Sequence, residues 1–325
     1  MRTTLTLLFA CLAAVTSAQN PAQNPAPKPP LKITPGKVIV PTDAMRRPWG
    51  ELISLDLKTR TGSFRNESND EVTPFIVMPY AELLHHAAFG DLEDFRVGER
   101  AIFRLHQDDE GRWVYLTYIQ DEMNFLNGHK EYYWVDRLDA AKGEIEFTQA
   151  NADKSFVRGK GLILETDAET RYWKDGKPAT FADIRVGDKL RTKSHGLGQG
   201  KHHRCWEVFL DDASLTKFQD EQKEAHRKRM LEQGLPGYID EATEKSLTVT
   251  LFQEGREPAK ELKPGQAIAA APAGVDRVAG RATEGTVREV RAQGNLHVVR
   301  IELAAEPAEK WIVGGLVRVK LSSSR

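Results

Sequence analysis

Cysteine is nearly absent from this chain of 325 residues, which contains it only at Cys11 and Cys205. Because Cys11 lies in a segment that we predict below to be removed, a single thiol would remain. One thiol cannot form an internal disulfide. The folded chain must therefore be stabilised by its apolar cores.

An excess of either charge is also missing, because 46 lysines and arginines stand against 47 aspartates and glutamates, for a formal net charge of −1. A basic surplus is typical of proteins that bind nucleic acid or acidic membrane surfaces. Nucleic acid is therefore not an expected partner. The hydrophobic share of 40% and the charged share of 29% are globular values, and the length predicts two or three domains.

The apolar run at the N terminus, Leu5–Val15, is far shorter than the roughly 20 residues that a membrane-spanning helix needs. With Arg2 before it and small residues up to Ala18 after it, it has the layout of a secretory signal peptide at residues 1–18. We therefore predict an exported mature chain, periplasmic or extracellular, with no membrane span. A buried N-terminal helix is the alternative. A lipid anchor at Cys11 is not expected, because the apolar run before it is short.

Proline is concentrated in one segment, since residues 19–48 hold eight of the sixteen prolines. This segment begins QNPAQNPAPKPP and has few large apolar residues, so it cannot bury a core. We expect an extended, solvated tether. A Pro-rich recognition segment is the alternative.

Three stretches of the remaining chain are similar to one another: DFRVGERAIFRL (94–105), DIRVGDKLRTKS (183–194) and ELKPGQAIAAAP (261–272). Each places Val or Pro and then Gly before a strand-like stretch, and a hairpin-like stretch precedes each. Such internal similarity indicates repeated units. We therefore predict three modules, at residues 49–125, 130–213 and 236–325.

The first module predicts strands near 49–58, 61–67, 72–78, 99–106 and 112–120. A helix is predicted over PYAELLHHAAFG (79–90), and five strands with a helix between the third and fourth match an OB-type barrel. In the second module the turn-rich KDGKPATFAD replaces the helix. The third module ends in additional strand-like runs at 285–291, 296–303 and 316–321. The predicted fold class is mostly β, with about three tandem small OB-like or SH3-like barrels.

One charged connector helix is predicted before the third module, at residues 214–235. Ser214 suits its start and Gly234 its end. Asp220, Glu221 and Glu224 lie in its first half and the basic residues 227–229 in its second, which suits the helix dipole. The apolar side chains on one side are only Leu215, Phe218 and Ala225. We therefore expect a solvated connector rather than a partner-binding helix.

The Gly-centred turn, the stretch TRYWKDGKPATFADIRVGDKL (170–190) and the connector HRKRMLEQGLPGYID (226–240) together resemble one class of proteins. These are exported bacterial proteins built from tandem small β-barrel (OB-like) modules of unknown function. The resemblance covers residues 49–325. It implies a fold and carries over no catalytic residue.

The stretch SHGLGQGKHHRCW (194–206) concentrates candidate ligands. The candidates for a metal site are His195, His202, His203 and Cys205, and those for contact with an anion or a partner are Lys193, Lys201 and Arg204. Three glycines in five residues favour a mobile tip instead, and the basic neighbours oppose a cation. We therefore expect high mobility at residues 195–203 and no stoichiometric metal.

The two tryptophans that open a strand allow the first two modules to be aligned. With Gly98 on Gly187 and Trp113 on Trp206, the second module carries a four-residue enlargement, which falls in this hairpin. Trp206 is then expected to be a core residue, as Trp113 is.

Other motifs predict no reaction. His85 and His86 follow Glu82 at the spacing of a di-iron site, but such a site needs a second copy. The stretch GLGQGK (196–201) fails the phosphate-loop pattern. Cys205 with a neighbouring histidine would suit a hydrolase, but Gly-x-Ser-x-Gly is absent. We predict no catalytic residue and no cofactor.

The leading functional prediction is an exported, non-enzymatic binding or scaffolding protein of the cell envelope or extracellular space, with an envelope protein or polymer as partner. The alternative is metal or anion binding through the hairpin 195–205, and the second alternative is a hydrolase that uses Cys205. Aromatic side chains suited to stacking bases are Tyr132, Tyr133, Trp134, Tyr172 and Trp173. The charge balance and the export signal nevertheless count against nucleic acid.

Overall fold

The computed structural model of the protein describes residues 45–195, 202–273, 282–307 and 310–321. These residues are mostly β and form three small closed barrels, which confirms the predicted fold class. The predicted signal peptide, nearly all of the predicted tether and the hairpin tip at 196–201 lie outside the described residues. Within the described residues, no helix is long and apolar enough to cross a membrane.

The first barrel consists of β1 (Trp49–Asp56), β2 (Thr61–Asn66), β3 (Val72–His85), β4 (Ala88–Phe89), β5 (Arg100–Gln107) and β6 (Trp113–Asp121). Its strands pair in the closed order β1–β2–β3–β6–β5–β1, with β3 and β6 parallel. Five strands in this order form an OB-type barrel. Its core contains Phe64, Phe75 and Phe103, and the rings of Phe64 and Phe103 stack with 4.2 Å between their centroids.

The helix predicted at residues 79–90 is wrong, because these residues form a strand and a turn. β3 continues to His85 with every second side chain buried, which is the periodicity of a strand. Hydrogen bonds to β6 satisfy its backbone. The chain then reverses at His86 and Ala87, where φ is 49° and 61°, and enters β4.

Helix α1 (Glu122–Gly128) leads into the second barrel, which consists of β7 (Glu131–Asp139), β8 (Glu144–Asn151), β9 (Val157–Glu165), β10 (Arg171–Lys174), β11 (Lys177–Ala179), β12 (Lys189–Ser194) and β13 (His202–Phe209). The closed order β7–β8–β9–β13–β12–β7 repeats that of the first barrel. The hairpin of β10 and β11 takes the place of the end of β3 and of β4. Its turn at Asp175 and Gly176 lies in the stretch predicted to be turn-rich.

The last strand pair occupies the same length of chain in both barrels. Gly98 and Gly187 are 89 residues apart, and so are Ile119 and Val208, which take equivalent places in the two ladders. The predicted four-residue enlargement of the second hairpin is therefore wrong.

The same register makes Trp206 equivalent to Thr117 rather than to Trp113. Trp206 is half-buried and stands beside His195, with 3.6 Å between the ring centroids, so it is not the core residue that was predicted. The mobility predicted for residues 195–203 concerns mostly residues outside the described part and stays a prediction.

Helix α2 spans Asp212–Gln233, close to the predicted connector. Its start is capped by the carboxylate of Asp211, which accepts a hydrogen bond from the backbone N–H of Ser214 (2.6 Å). Its end is at Gly234, as predicted, with φ of 89°.

One side of α2 packs on the first barrel through polar side chains. Gln219 Nε2 donates to the carbonyl oxygen of Ala87 (2.5 Å), and Gln222 Nε2 donates to Asp94 Oδ2 (2.9 Å). Arg229 donates to the other oxygen of Asp94 (2.9 Å). The connector is therefore docked along one side, which corrects the expectation of a solvated helix. Its few apolar residues contribute as well, because Leu215 and Phe218 pack with Ala87, Met123 and Phe209 in an apolar cluster near the start of the helix.

The third barrel consists of β14 (Leu235–Ala242), β15 (Ser246–Leu251), β16 (Ala267–Pro272), β17 (Thr283–Gln293), β18 (Leu296–Leu303) and β19 (Leu316–Leu321), with the short helix α3 (Arg256–Ala259) before β16. Its closed order is β14–β15–β18–β17–β16–β19. Each half is a hairpin followed by one strand, and exchanging the halves leaves the order unchanged. The additional predicted runs are therefore its second half, and its strand order differs from that of the first two barrels.

Four type II turns recur across the three barrels, each with glycine at its third position and a bond of 2.8–3.1 Å across the turn. Each glycine N–H donates to a residue at a strand bulge: Gly98 to Leu52, Gly187 to Val135, Gly265 to Val287 and Gly314 to Ile239. The glycine φ angles of 84–93° are those this turn requires, with Val or Pro before the glycine. Three of the four turns are the repeated stretches found in the sequence.

Candidate ligand-binding face on the second barrel

Strand β7 exposes two aromatic side chains on the outside of the second barrel. Side chains alternate along a strand, so Tyr132 and Trp134 are half-buried on the outer face, while Tyr133 and Val135 are buried in the core. Of the five aromatic residues named in the sequence, Tyr132 and Trp134 thus face outward and Tyr133 lies in the core, while Tyr172 and Trp173 are partly buried and pack against core clusters.

Two lysines meet at the ring of Trp134. The ammonium nitrogen of Lys154 lies 4.3 Å from the ring centroid and that of Lys189 lies 4.8 Å from it. Lys189 also lies 5.6 Å from the ring of Tyr132. Both lysines are exposed, and among the described residues neither has a carboxylate within 4.0 Å. We call Tyr132, Trp134, Lys154 and Lys189 the Trp134 face.

Hydrogen bonds hold both rings in place. The indole Nε1 of Trp134 donates to the carbonyl oxygen of Asn151 (3.0 Å), and the hydroxyl of Tyr132 donates to Asp212 Oδ2 (2.8 Å). The guanidinium of Arg191 lies 4.3 Å from the ring of Tyr132. The polar atoms of the rings are therefore engaged, and the rings offer a ligand the part of their surface that these cations do not cover.

The equivalent place in the first barrel has no such face. Glu51 stands where Trp134 does, one residue before the bulge, and its Oε2 is 3.8 Å from Arg65 Nη1. Arg100 stands where Lys189 does, but its side chain is largely buried and paired with Glu67 (2.6 Å) and Glu122 (2.8 Å). All the charges of this place in the first barrel are thus compensated within the protein.

The Trp134 face has the chemistry of an anion site beside a flat apolar surface. Two ammonium groups close to one ring repel each other, and an anion bound between them would relieve that repulsion. The indole surface would pack against a ring or another flat group of the same ligand.

The basic residues predicted for ligand contact are mostly engaged within the protein. Lys193 is 1% exposed, and its Nζ lies 2.7 Å from Glu99 Oε1, so the structure corrects its predicted role as an anion or partner contact. Arg204 is paired with Asp167 (2.8 Å) and Glu169 (3.1 Å). Lys201 lies outside the described residues.

The four predicted metal ligands are not brought together. His202 is exposed and pairs with Glu165 (2.5 Å), while His203 and Cys205 face inward from the same strand. His195 packs on Trp206, and burial with the nearby charge of Arg204 lowers its pKa to about 4. Among the described residues, no three of these side chains form a group of ligand distance.

The hydrolase alternative is wrong for Cys205. Its side chain lies in the core of the second barrel, 1% exposed, and its Sγ donates to the carbonyl oxygen of Glu207 (3.3 Å). Burial raises the pKa of the thiol well above its usual value. A buried, protonated thiol is not a nucleophile.

A buried carboxylate joins the first two barrels. Glu122, at the start of α1, is fully buried and accepts hydrogen bonds from Arg100 of the first barrel (2.8 Å) and from three residues of the second. These are Tyr133 (2.6 Å), Thr192 (2.9 Å) and Ser194 (2.7 Å). Four donors compensate the cost of burying its charge.

Lys193 forms the second half of this joint. From β12 it reaches Glu99 (2.7 Å) and Asp121 (3.7 Å) of the first barrel, and its Nζ contacts His85 Nε2. Burial raises the pKa of Glu99 and, with the charge of Lys193, lowers that of His85 well below its usual value. The first two barrels are thereby held together by a network of buried charges, which the sequence analysis missed.

Two groups of described side chains have ligand atoms close enough for a metal: His85, His86 and Asp121, and Asp91, Asp94 and His226. Each already contains a cationic side chain. Lys193 contacts His85 and Asp121, and Arg229 pairs with both aspartates of the second group. A metal would have to displace these cations, so both groups are structural.

Comparisons with known proteins leave the family open. None of the protein-family models matches, and no curated protein matches. A solved structure, Drosophila Unr CSD456, is similar over 84% of this chain and 89% of its own, at 14% identity and a TM-score of 0.19. A score this low carries no argument about what the chain does.

The expectation about partners is corrected: the exclusion of nucleic acid, which rested on net charge and the export signal, does not stand. Net charge averages over the whole chain, and it does not exclude a local basic site such as the unpaired lysines of the Trp134 face.

Proposed function

We propose that the protein is an exported, non-enzymatic binding protein that holds an anionic ligand on the Trp134 face. The observation that carries this proposal is the pair of exposed lysines at the ring of Trp134, neither of which has a carboxylate partner among the described residues. By contrast, Lys142 of the same barrel lies beside acids, with its Nζ 3.8 Å from Asp139 and 4.0 Å from Glu144.

The joint between the barrels supports this role. Glu122 and Lys193 fix the first barrel against the second, so the Trp134 face belongs to a body larger than one barrel. A binding face on a rigid body loses little conformational entropy when the ligand arrives. The same rigidity suits a scaffold.

A panel of soluble polyanions tests the proposal. Calorimetric titration with heparin, polyglutamate and single-stranded DNA should show salt-sensitive binding of at least one of them. We expect Lys154→Ala/Lys189→Ala to weaken that binding roughly ten-fold, because each lost phosphate or carboxylate contact at a surface contributes about 1 kcal/mol or less.

The control removes the same charge elsewhere. Lys142 and Lys245 are exposed lysines in hairpin turns of the second and third barrels, and Lys142→Ala/Lys245→Ala should bind as the unmodified protein does. Equal losses in both double variants would reduce the effect to net charge and contradict the proposed site.

Export is a separate part of the proposal. It rests on the layout of residues 1–18, with Arg2, an apolar run and a small-residue end at Ala18. Mass spectrometry of the protein from its native cells should find an N terminus at or near Gln19. An intact Met1 on protein from the cytoplasm would contradict it.

A further inference from the structure

We infer that the ligand of the Trp134 face is single-stranded nucleic acid, bound with little preference for sequence. This inference rests on the proposed function and adds the class of polymer to it. Three features of the face carry it, and each concerns what an unpaired strand offers: separated bases, a phosphate between them, and base surfaces free to stack.

The first feature is the spacing of the two rings. Tyr132 and Trp134 are two residues apart on one strand, so their positions are about 6.6 Å apart along it and on the same face. Successive bases of an unstacked strand can each lie on one such ring. The bases of a duplex are stacked on each other, and their surfaces are closed to side chains.

The second feature is the position of Lys189. Its ammonium lies 5.6 Å from the ring of Tyr132 and 4.8 Å from that of Trp134. It is therefore close to both rings, where the phosphate that links two stacked bases would run. Lys154 lies in the turn between β8 and β9, and its ammonium is 4.3 Å from the ring of Trp134. From there it would contact the next phosphate along the strand. Aromatic rings with neighbouring cations are the general means of binding single strands.

The third feature is that the polar atoms of the rings are already used. The indole N–H of Trp134 is bonded to Asn151 and the hydroxyl of Tyr132 to Asp212. Reading a base sequence needs free donors and acceptors directed at base edges, and binding a sugar chain needs them for its hydroxyl groups. Beside the carboxylate of Asp212, which accepts from Tyr132, the face offers ring surfaces and ammonium groups, and these suit bases and phosphates of any sequence.

Fluorescence anisotropy of the full chain with labelled oligo(dT), oligo(dA) and a duplex of equal length tests the inference. We expect the two single strands to bind within a few-fold of each other and more tightly than the duplex. Trp134→Ala should weaken single-strand binding by roughly five-fold to a hundred-fold, the range for the loss of one base–aromatic stack. Trp134→Phe should retain most of the affinity.

Salt dependence separates the lysines from the ring. Lys189→Ala should reduce the slope of log affinity against log salt by about 0.7, the value for one phosphate of a single strand. Trp134→Ala should leave that slope unchanged. Circular dichroism of each variant checks that it is folded, and if Trp134→Ala is not, Trp134→Leu and the lysine variants carry the test.

The outcomes distinguish the inference from the proposed function. Binding of heparin alone, weakened by Lys154→Ala/Lys189→Ala, would overturn the nucleic-acid inference and leave the proposed anion-binding function standing. Binding of no polyanion would overturn both. Duplex binding equal to single-strand binding, or affinity unaffected by Trp134→Ala, would overturn the inference alone.

Discussion

Glu51 of the first barrel and Trp134 of the second occupy the same strand position, one residue before the same bulge. Glu51 lies near Arg65 (3.8 Å), and the neighbouring Arg100 is drawn into the joint with the second barrel by Glu122. Trp134 instead collects two lysines that have no acidic partner among the described residues. Two barrels with one strand order therefore use equivalent positions in opposite ways, the first for assembly and the second for an open face.

At a second pair of equivalent positions the roles are exchanged, because the second barrel has the buried charge and the first barrel the partly exposed one. Lys193 of the second barrel pairs across the strands with Glu207, where the first barrel has Arg104 and Tyr118. Lys193 is buried against the first barrel, whereas Arg104 is half-exposed and donates to Thr117 Oγ1 (3.1 Å). The strand order sets where a side chain stands, and the neighbouring barrel decides whether its charge is buried.

The largest expected effect comes from this pair. Lys193→Met should lower the free energy of unfolding by about 3–5 kcal/mol, because it leaves Glu99 and Asp121 buried without their cation. Arg104→Met, at the equivalent position, should cost less than about 1 kcal/mol. Urea unfolding of both variants measures the difference. Equal losses would show that burial between the barrels does not distinguish the two positions.

The next effect concerns acid stability and Glu207. Burial raises its pKa, but the hydrogen bond and charge of His86, with the charges of Lys193 and Arg171, outweigh burial and lower the pKa to about 2. Because the folded pKa is lowered, the stability from this group is present above the unfolded value near 4.5 and is lost as the pH falls towards 2.

A variant isolates this contribution. The shift corresponds to about 3 kcal/mol, and Glu207→Gln should remove that part of the pH dependence between about pH 5 and pH 2. Denaturant unfolding at a series of pH values gives the slope. An unchanged acid slope in the variant would assign acid unfolding to other carboxylates. The equivalent Tyr118 of the first barrel is neutral in this range.

The barrels themselves were predictable because their signals are local. Val or Pro before Gly identifies a type II turn from four consecutive residues, which is why Gly98, Gly187 and Gly265 were found. Gly314 was missed because Ile312-Val313-Gly314-Gly315 lacks the basic residue that marks the other turns. The false helix at 79–90 has helix-favouring residues, and it forms a strand because β6 supplies backbone partners from a distant part of the chain.

The Trp134 face and the joint between the first two barrels could not be predicted from local sequence patterns in the same way. Alternation along β7 separates Tyr132 and Trp134 from Tyr133, but Lys154 and Lys189 reach the same ring from other elements. The joint likewise brings together Glu99 from the turn before β5, Glu122 from α1 and Lys193 from β12. Residues that are far apart in the sequence form no local pattern from which such a group could be predicted. The histidines at 195–203 do form a local pattern, but the basic residues of that hairpin are mostly paired within the protein.

Alanine substitutions at the equivalent glycines of the first two barrels should have a smaller effect on stability, and they compare the two turns directly. Gly98 and Gly187 have φ of 93° and 92°, so alanine strains both turns, by about 1 kcal/mol. A Cβ at Gly98 would also lie 2.9 Å from His195 Nδ1 of the second barrel, while one at Gly187 would meet nothing within 4 Å. Gly98→Ala should therefore cost about 1 kcal/mol more than Gly187→Ala in thermal unfolding.

A second substitution tests whether the contact with His195 causes the additional loss of stability in Gly98→Ala. In the background of His195→Ala the contact at Gly98 is removed, and the two glycine substitutions should become nearly equal. A difference that persists would show that the first turn is strained for a reason unrelated to the second barrel.

The smallest expected change in stability belongs to the exchange that would make the second barrel like the first. Trp134→Glu places in the second barrel the carboxylate that Glu51 has at the same strand position. The position is half-buried on the outer face, so the free energy of unfolding should change by less than about 1 kcal/mol. Binding of single-stranded DNA should nevertheless be lost, because the ring is gone and a carboxylate now faces Lys189. If the exchanged protein is folded and still binds, the difference between the barrels at this position is unrelated to ligand binding.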